Sequence, residues 1–244
     1  MPRLHVNVDH VATVREARRE RFPDPVEWAL RAEVAGAVGI TCHLRKDRRH
    51  IQDDDVRRLR ERIGTRLNLE LSLDPEIVQF ALASRSDAFC LVPENRAEVT
   101  TEGGLDVLGE RARLAEVVPA LTEAGGEVSL FVDAELDQLD AAAEVGAAFI
   151  ELHTGRYANA QGDEAAAELE RLQRAAQHAA GIGLRVNAGH GLDYDNVAPI
   201  AALPAVEELN IGFAIVARAL FAGVEDAITS MLDAMRTTPS GGSA

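Results

Sequence analysis

Carboxylates and histidines recur in this chain at the ends of short apolar runs. In "RLNLELS" (66–72), Leu67, Leu69 and Leu71 share one face of an extended segment, and Asn68, Glu70 and Ser72 share the other. In "FIELHTG" (149–155), Ile150 and Leu152 oppose Glu151 and His153. If the apolar face packs against the body of the protein, each carboxylate points into a partly desolvated interior. Its pKa is then expected to rise toward the range of a proton shuttle. Five of the seven histidines, His10, His43, His50, His153 and His190, fall at or just past the end of such a run. Glutamate and histidine together point to acid–base chemistry. Each has a blander reading: Glu70 as the partner of an inward arginine such as Arg45, the histidines and Asn7, Asn68 and Asn187 as structural ties. His5 and His178 read as structural or surface residues.

The sequence also narrows the chemistry by what it lacks. The only lysine, Lys46, lies beyond a strand end among arginines, a poor position for a Schiff-base nucleophile. No compact His/Asp/Cys spacing predicts a metal site, although His and Asp scattered over strand ends leave metal chemistry open. Cationic side chains gather in "TCHLRKDRRH" (41–50), with Arg18 upstream, in a chain of formal net charge -15. A local cationic cluster in an acidic body predicts a small anionic ligand, and the net charge argues against nucleic acid or an anionic membrane as partner. Residues 1–66 carry 15 Lys+Arg against 11 Asp+Glu, the remainder 10 against 29. Gly189, Gly191 and Gly212, in "NAGHGLDYDN" and "NIGFAI", predict a separate anion seat on backbone N–H groups. Two anion sites imply a bisphosphate or two phosphorylated substrates.

These side chains must be positioned by elements of regular structure. Strands are predicted at 4–10, 39–44, 66–72, 88–94, 127–133, 149–155, 184–189 and 208–212. On that reading Asn7, Asp9 and His10 end the first strand. Asp24-Pro25 and Asp74-Pro75 read as helix starts, an N-cap aspartate followed by proline at the first helical position. The helices predicted over 53–64 and 135–146 each close on a glycine, Gly64 and Gly146. A long helix is predicted over 163–181 and a final one from Ala214 to Met235. Eight strands alternating with helices in 244 residues predict a (β/α)8 barrel, with its site at the C-terminal strand ends. An open doubly wound sheet is the alternative, but "NVDHVATVREARR" after the first strand has no glycine for a phosphate loop.

The totals agree with one domain over 1–236 and a flexible tail over 237–244. Hydrophobic content is 47% and aromatic content 4%, so the core must be aliphatic. No apolar run reaches the roughly 18 residues of a membrane span. "MPRLHVNVDH" lacks the apolar stretch of a signal peptide, and a cytoplasmic location is expected. Cys42 and Cys90 are expected to be buried free thiols.

Several ordered motifs carry a family resemblance: "NVDHVATVREAR", "HLRKDRRHI", "NLELS", "LVPENRAEVTTEGGLDV", "FIELHTGRYA" and "VNAGHGL". Together, from Val6 to Ala227, the chain resembles the pyridoxine 5'-phosphate synthases. The resemblance implies a (β/α)8 TIM barrel with extra helices that build an octamer from dimers. It implies condensation of 3-amino-2-oxopropyl phosphate with 1-deoxy-D-xylulose 5-phosphate to pyridoxine 5'-phosphate, phosphate and water, with no metal and no organic cofactor. Carried over by motif, His43 and Glu70 accept protons, His190 donates one and Glu151 stabilises a transition state. Asn7, Arg18, Gly191, Gly212 and Phe213 bind the amino-ketone phosphate. Asp9, His10, Arg45, His50 and Thr100 bind the sugar phosphate, and residues 93–104 resemble a closing lid. Phe213 stands where the family often has histidine, and Lys46 where it commonly has an acid. An epimerase or isomerase acting on a phosphosugar, or a barrel that only binds a phosphorylated ligand, remain the alternative readings.

Overall fold

The computed structural model describes residues 1–94 and 103–237. The expected tail over 237–244 therefore lies almost wholly outside the described residues. In chain order the elements are β1 (Arg3–Asn7), α1 (Asp9–Glu16), α2 (Pro25–Val34), β2 (Gly39–His43), α3 (Asp53–Arg62), β3 (Arg66–Leu71), α4 (Pro75–Ser84) and β4 (Ala88–Leu91). There follow α5 (Arg111–Glu123), β5 (Glu127–Val132), α6 (Leu136–Glu144), β6 (Phe149–His153), α7 (Gly155–Asn159) and α8 (Gly162–Gly181). The chain ends with β7 (Arg185–Gly189), α9 (Val197–Ala201), β8 (Val206–Ile211), α10 (Phe213–Ala222) and α11 (Val224–Arg236).

The strands form a closed parallel barrel in sequence order, sealed where Leu4 of β1 pairs with Leu209 of β8. This is the predicted (β/α)8 architecture; the open sheet is excluded. Strand alternation does what the sequence predicts. Leu67, Leu69 and Leu71 are wholly buried on the helix-facing side of β3, and the apolar core is continuous around the barrel. Burial of each such side chain contributes about 1.5–3 kcal/mol. Both cysteines are buried and free. None of the helices is long and apolar enough to cross a membrane among the described residues.

Helix starts are legible in the sequence. The Asp24 side chain accepts the Val26 N–H at 3.0 Å and Asp74 that of Glu76 at 3.0 Å, each ahead of a proline. α6 closes on Gly146 at φ 84°, in the left-handed region, as expected.

Three expectations are corrected. β1 stops at Asn7, because the Asn7 side chain accepts the Asp9 N–H at 2.8 Å and turns the chain into α1. Asp9 and His10 therefore open a helix instead of ending a strand. α3 leaves through Ile63 in an extended conformation (ψ 145°), so Gly64 is not a left-handed cap. The final helix is two: Gly223, at φ 87°, breaks the path into α10 and α11.

Candidate active site

At the C-terminal ends of the strands lies a cavity of about 1080 Å3. His43, Glu70, Glu151 and His190, the four residues expected to move protons or steady charge, all line it. So do Asn7, Asp9, His10, Arg45 and His50, together with Gly191, Gly212 and Phe213. Arg18 does not: it is exposed, two residues past the end of α1. Thr100 lies outside the described residues, as does most of the expected lid.

One side of the cavity is a cluster of acids tied by an amide. Asn7 Nδ2 donates to Asp9 Oδ2 at 3.0 Å and to Glu70 Oε2 at 3.5 Å. Asp9 Oδ1 accepts the backbone N–H of His43 at 2.8 Å. His43 Nδ1 stands 3.9 Å from Glu70 Oε2. Burial pushes the Glu70 carboxyl well above its ordinary range, and Asp9 and Glu151 push it the same way. Burial likewise holds the His43 imidazole well below its ordinary value, helped by His50 and Arg45. Both shifts disfavour the charged forms, so burial opposes an ion pair between Glu70 and His43. Asp9, His43 and Glu70 also offer three ligand atoms within 4.8 Å of one another, a spacing a divalent cation could use. The Asn7 amide already bridges the two carboxylates from between.

Glu151 faces this cluster from β6. Its Oε2 accepts from Asn210 Nδ2 at 2.6 Å and from the Cys90 thiol at 3.7 Å. Burial raises its pKa to about 7, against the lowering effect of those two hydrogen bonds. Gly189 makes room for it, since a Cβ there would sit 2.3 Å from Glu151 Oε1. Gly189 thus serves the carboxylate, where the sequence had suggested a ligand's backbone seat.

His190 is carried on a turn that few residues adopt, with φ 84°, followed by Gly191 at φ 75°. Thr154 Oγ1 donates to the carbonyls of Gly189 (2.7 Å) and His190 (2.6 Å) and holds the turn. Burial, with His153 and His10 nearby, lowers the His190 pKa to about 4. His153 packs its ring 5.2 Å from that of His190, and its Nδ1 meets Asp133 Oδ1 at 3.0 Å. Of the β6 pair, Glu151 and not His153 lines the cavity.

The cationic run divides in two. Lys46 is engaged by Asp74, and Arg48 by Asp53 and Glu76, both at 2.9 Å. The acidic body thus takes those charges away from the cavity. Arg45, Arg49 and His50 remain on its wall, with Arg45 only 2% exposed. Gly212 caps α10 and Phe213 is its first residue. The leading N–H groups of a helix have no intrahelical partner and favour an anion. The Phe213 ring lies outside this seat, 69% exposed, with its edge toward His10 at 5.2 Å between centroids.

Asn210 and Asp133 fall at predicted strand ends, at the mouth where the site is expected, but the sequence assigns neither a role. A polar residue one step from a strand end was the only signal for Asn210. Nothing short of the barrel's closure says that it meets Glu151, 59 residues away.

A closed (β/α)8 barrel with glutamates and histidines lining one cavity at its C-terminal strand ends defines the class: a (β/α)8-barrel enzyme. The comparisons with known proteins are more specific. Residues 4–237 match the family described as pyridoxal phosphate biosynthesis protein PdxJ, and the chain belongs to that family. Pyridoxine 5'-phosphate synthase of Photobacterium profundum is 55% identical over 238 residues, 96% of this chain and 98% of its own. That of Acaryochloris marina is 55% identical over 234 residues, again 96% and 98%. Among solved structures, KGPDC from Streptococcus mutans aligns with TM-score 0.65 over 97% of this chain and 98% of its own. At 14% identity that likeness concerns the fold alone.

Proposed function

We propose that this protein is a pyridoxine 5'-phosphate synthase. It joins 3-amino-2-oxopropyl phosphate to 1-deoxy-D-xylulose 5-phosphate and releases phosphate and water, using one barrel domain over 1–236 and neither metal nor organic cofactor. One observation carries the reading: in a chain so similar to proteins of that name, His43, Glu70, Glu151 and His190 line a single cavity.

The chemistry follows from that arrangement. An amine and a ketone must lose water, and protons must then move between carbon and oxygen. Glu70 and His43 take protons on one side, and His190 returns one on the other. An incoming ammonium opposes the upward shift of Glu70 and lowers its pKa toward the working range. A phosphate near Gly191, Gly212 and Phe213 does the reverse for His190 and makes it a competent acid. Glu151 steadies positive charge as it develops between them. Asn7 holds the amino-ketone phosphate with the backbone at Gly191, Gly212 and Phe213; Arg18, exposed outside the cavity of its own chain, takes no part there within one chain. Asp9, His10, Arg45, His50 and Thr100 hold the sugar phosphate.

A homo-octamer working in the cytoplasm completes the reading. The exposed apolar face of α10, with Phe213, Leu220 and Phe221 at 69%, 71% and 94% exposure, supports assembly. Light scattering on the purified protein tests it. For the reaction, both phosphates are mixed with protein and chelator. Product absorbance in the near ultraviolet and free phosphate are expected to rise together. No synthase product, but cation-dependent interconversion of the sugar phosphate, would favour the metal-dependent epimerase or isomerase reading, for which the Asp9–His43–Glu70 spacing speaks.

A further inference from the structure

Glu151 ends a chain of buried hydrogen bonds that the assigned roles leave unused. Thr41, in the middle of β2, is fully buried, and its Oγ1 donates to Asn210 Oδ1 at 2.8 Å. The same oxygen accepts from Asn68 Nδ2 of β3 at 3.3 Å. Asn210 Nδ2 then donates to Glu151 Oε2 at 2.6 Å. Four residues on four strands thus form one directed line across the barrel floor.

The polarity of that line is fixed at Thr41. A hydroxyl has one proton to give. Asn68 brings an N–H to the Thr41 oxygen, so the Thr41 proton goes to the Asn210 carbonyl. An amide has opposite polarity at its two ends. With its oxygen held, its NH2 must face Glu151. Rotated half a turn, the amide would present its oxygen instead, and only a protonated Glu151 could meet it.

We propose that Thr41 is a positioning residue for Glu151, its hydroxyl locking the Asn210 amide so that N–H and not C=O faces the carboxylate. The proposal rests on the role given to Glu151 above. The other titratable groups around Glu151 do not substitute for this lock. Glu70 of β3 and Glu208 of β8 oppose its ionisation, and the Cys90 thiol of β4 is a weaker and longer donor at 3.7 Å. The neighbouring strands bring Phe131 from β5 and Gly189 from β7, neither of which titrates. Asn210 is thus the principal group favouring the ionised form, and Thr41 decides which way it points.

Thr41→Val keeps the shape and removes the donor. The Asn210 amide is then free to turn, and a proton on Glu151 is stabilised. A hydrogen bond to a charged group is worth about 1.5–3 kcal/mol, which is about one to two pH units. The acid limb of kcat is therefore expected to move up by at least about one unit. KM for both phosphates should change less than about two-fold, because no contact to substrate is removed. Thr41→Ser should restore the wild-type profile. A second readout needs no turnover: the infrared carboxyl band of Glu151, assigned against Glu151→Gln and titrated in wild type and Thr41→Val. Should Thr41→Val not fold, Asn68→Ala replaces it; it frees the Thr41 hydroxyl to rotate, and a smaller shift of the same sign is expected. A Glu151 titration that superimposes on the wild type's overturns the proposal. So does Thr41→Ser behaving as Thr41→Val, which would reduce the effect to packing. Wild-type protein without synthase turnover would instead sink the functional reading, while the infrared titration still decides the lock.

Discussion

The two ends of the barrel use the same residue types to opposite effect. At the N-terminal end Glu127, Glu207 and Glu208 each meet a guanidinium. Arg3 pairs with Glu208 at 2.6 Å, Arg66 with Glu127, and Arg185 with Glu207 at 2.5 Å and Glu127 at 3.2 Å. The Arg185 hydrogen bond holds the Glu207 carboxyl below its ordinary range. At the C-terminal end Glu70 and Glu151 are buried among amides, imidazoles and a thiol, and burial pushes both upward. Charge at one end is satisfied from within. At the other the two carboxyls are held by amides, and a strongly shifted carboxyl in a cavity marks a candidate for proton chemistry. Glu208 marks the boundary. It has an arginine, yet burial still raises it, with the buried His5 3.6 Å away.

Substitutions at the two ends should separate these roles. The largest effect is expected from Glu70→Gln, which removes the base and keeps the shape. Turnover should fall by about 10²–10⁴-fold while both substrates still bind by calorimetry; near-normal turnover would erase the contrast between the ends. Arg45→Ala comes next. Loss of one charge-assisted contact should raise KM for the sugar phosphate by about 10–100-fold, with kcat less affected. An unchanged KM would move the anion site elsewhere.

His190 sharpens the comparison through its proton. In the free protein its ring should titrate near pH 4, and be neutral at pH 5.5. Saturating phosphate is expected to raise that value, so that at the same pH the ring becomes protonated, visible in histidine NMR shifts. No movement would leave His190 without the charge a donor needs.

His5 at the opposite end should matter for stability alone. Its folded pKa of about 3 lies below the ordinary histidine value of 6.5, because burial and the cations Arg66 and Arg3 oppose its charge. The unfolded chain thus binds the extra proton between those limits. The stability held by the neutral ring is full above pH 6.5 and is lost as pH falls toward 3. By pH 5 the loss should be about 2 kcal/mol, and His5→Gln should flatten that limb in urea midpoints against pH. The smallest effect is expected from Glu127→Gln. Its ion pairs are half exposed, so stability should fall by less than about 1 kcal/mol with turnover intact. A loss of activity there would mean that the two ends are coupled.

Much of this was legible in the chain itself. Alternation in "RLNLELS" and "FIELHTG" named Glu70 and Glu151 and predicted their desolvation, because a period of two fixes which side chains share a face. Asp-Pro pairs marked the starts of α2 and α4 through a local hydrogen bond that needs no tertiary contact. Harder to see was the fate of the basic run. Lys46 and Arg48 are bound by Asp74, Asp53 and Glu76, and no spacing rule shows which acids an exposed arginine will meet. The end of β1 was misjudged because the Asn7 side chain competes with the strand for the backbone.

The sequence by itself determined the order of strands and helices, the faces they bury and that His43, Glu70, Glu151 and His190 fall at the same end of the barrel. These are properties of neighbours along a chain, set by strand pleat, helix pitch and capping. Only the closed barrel decided that Thr41, Asn68, Glu151 and Asn210 form one line, that the Asn7 amide ties Glu70 to Asp9, and which arginines reach the cavity. Those outcomes depend on contacts between residues tens to hundreds of positions apart, where the partner, not the residue, sets the proton affinity.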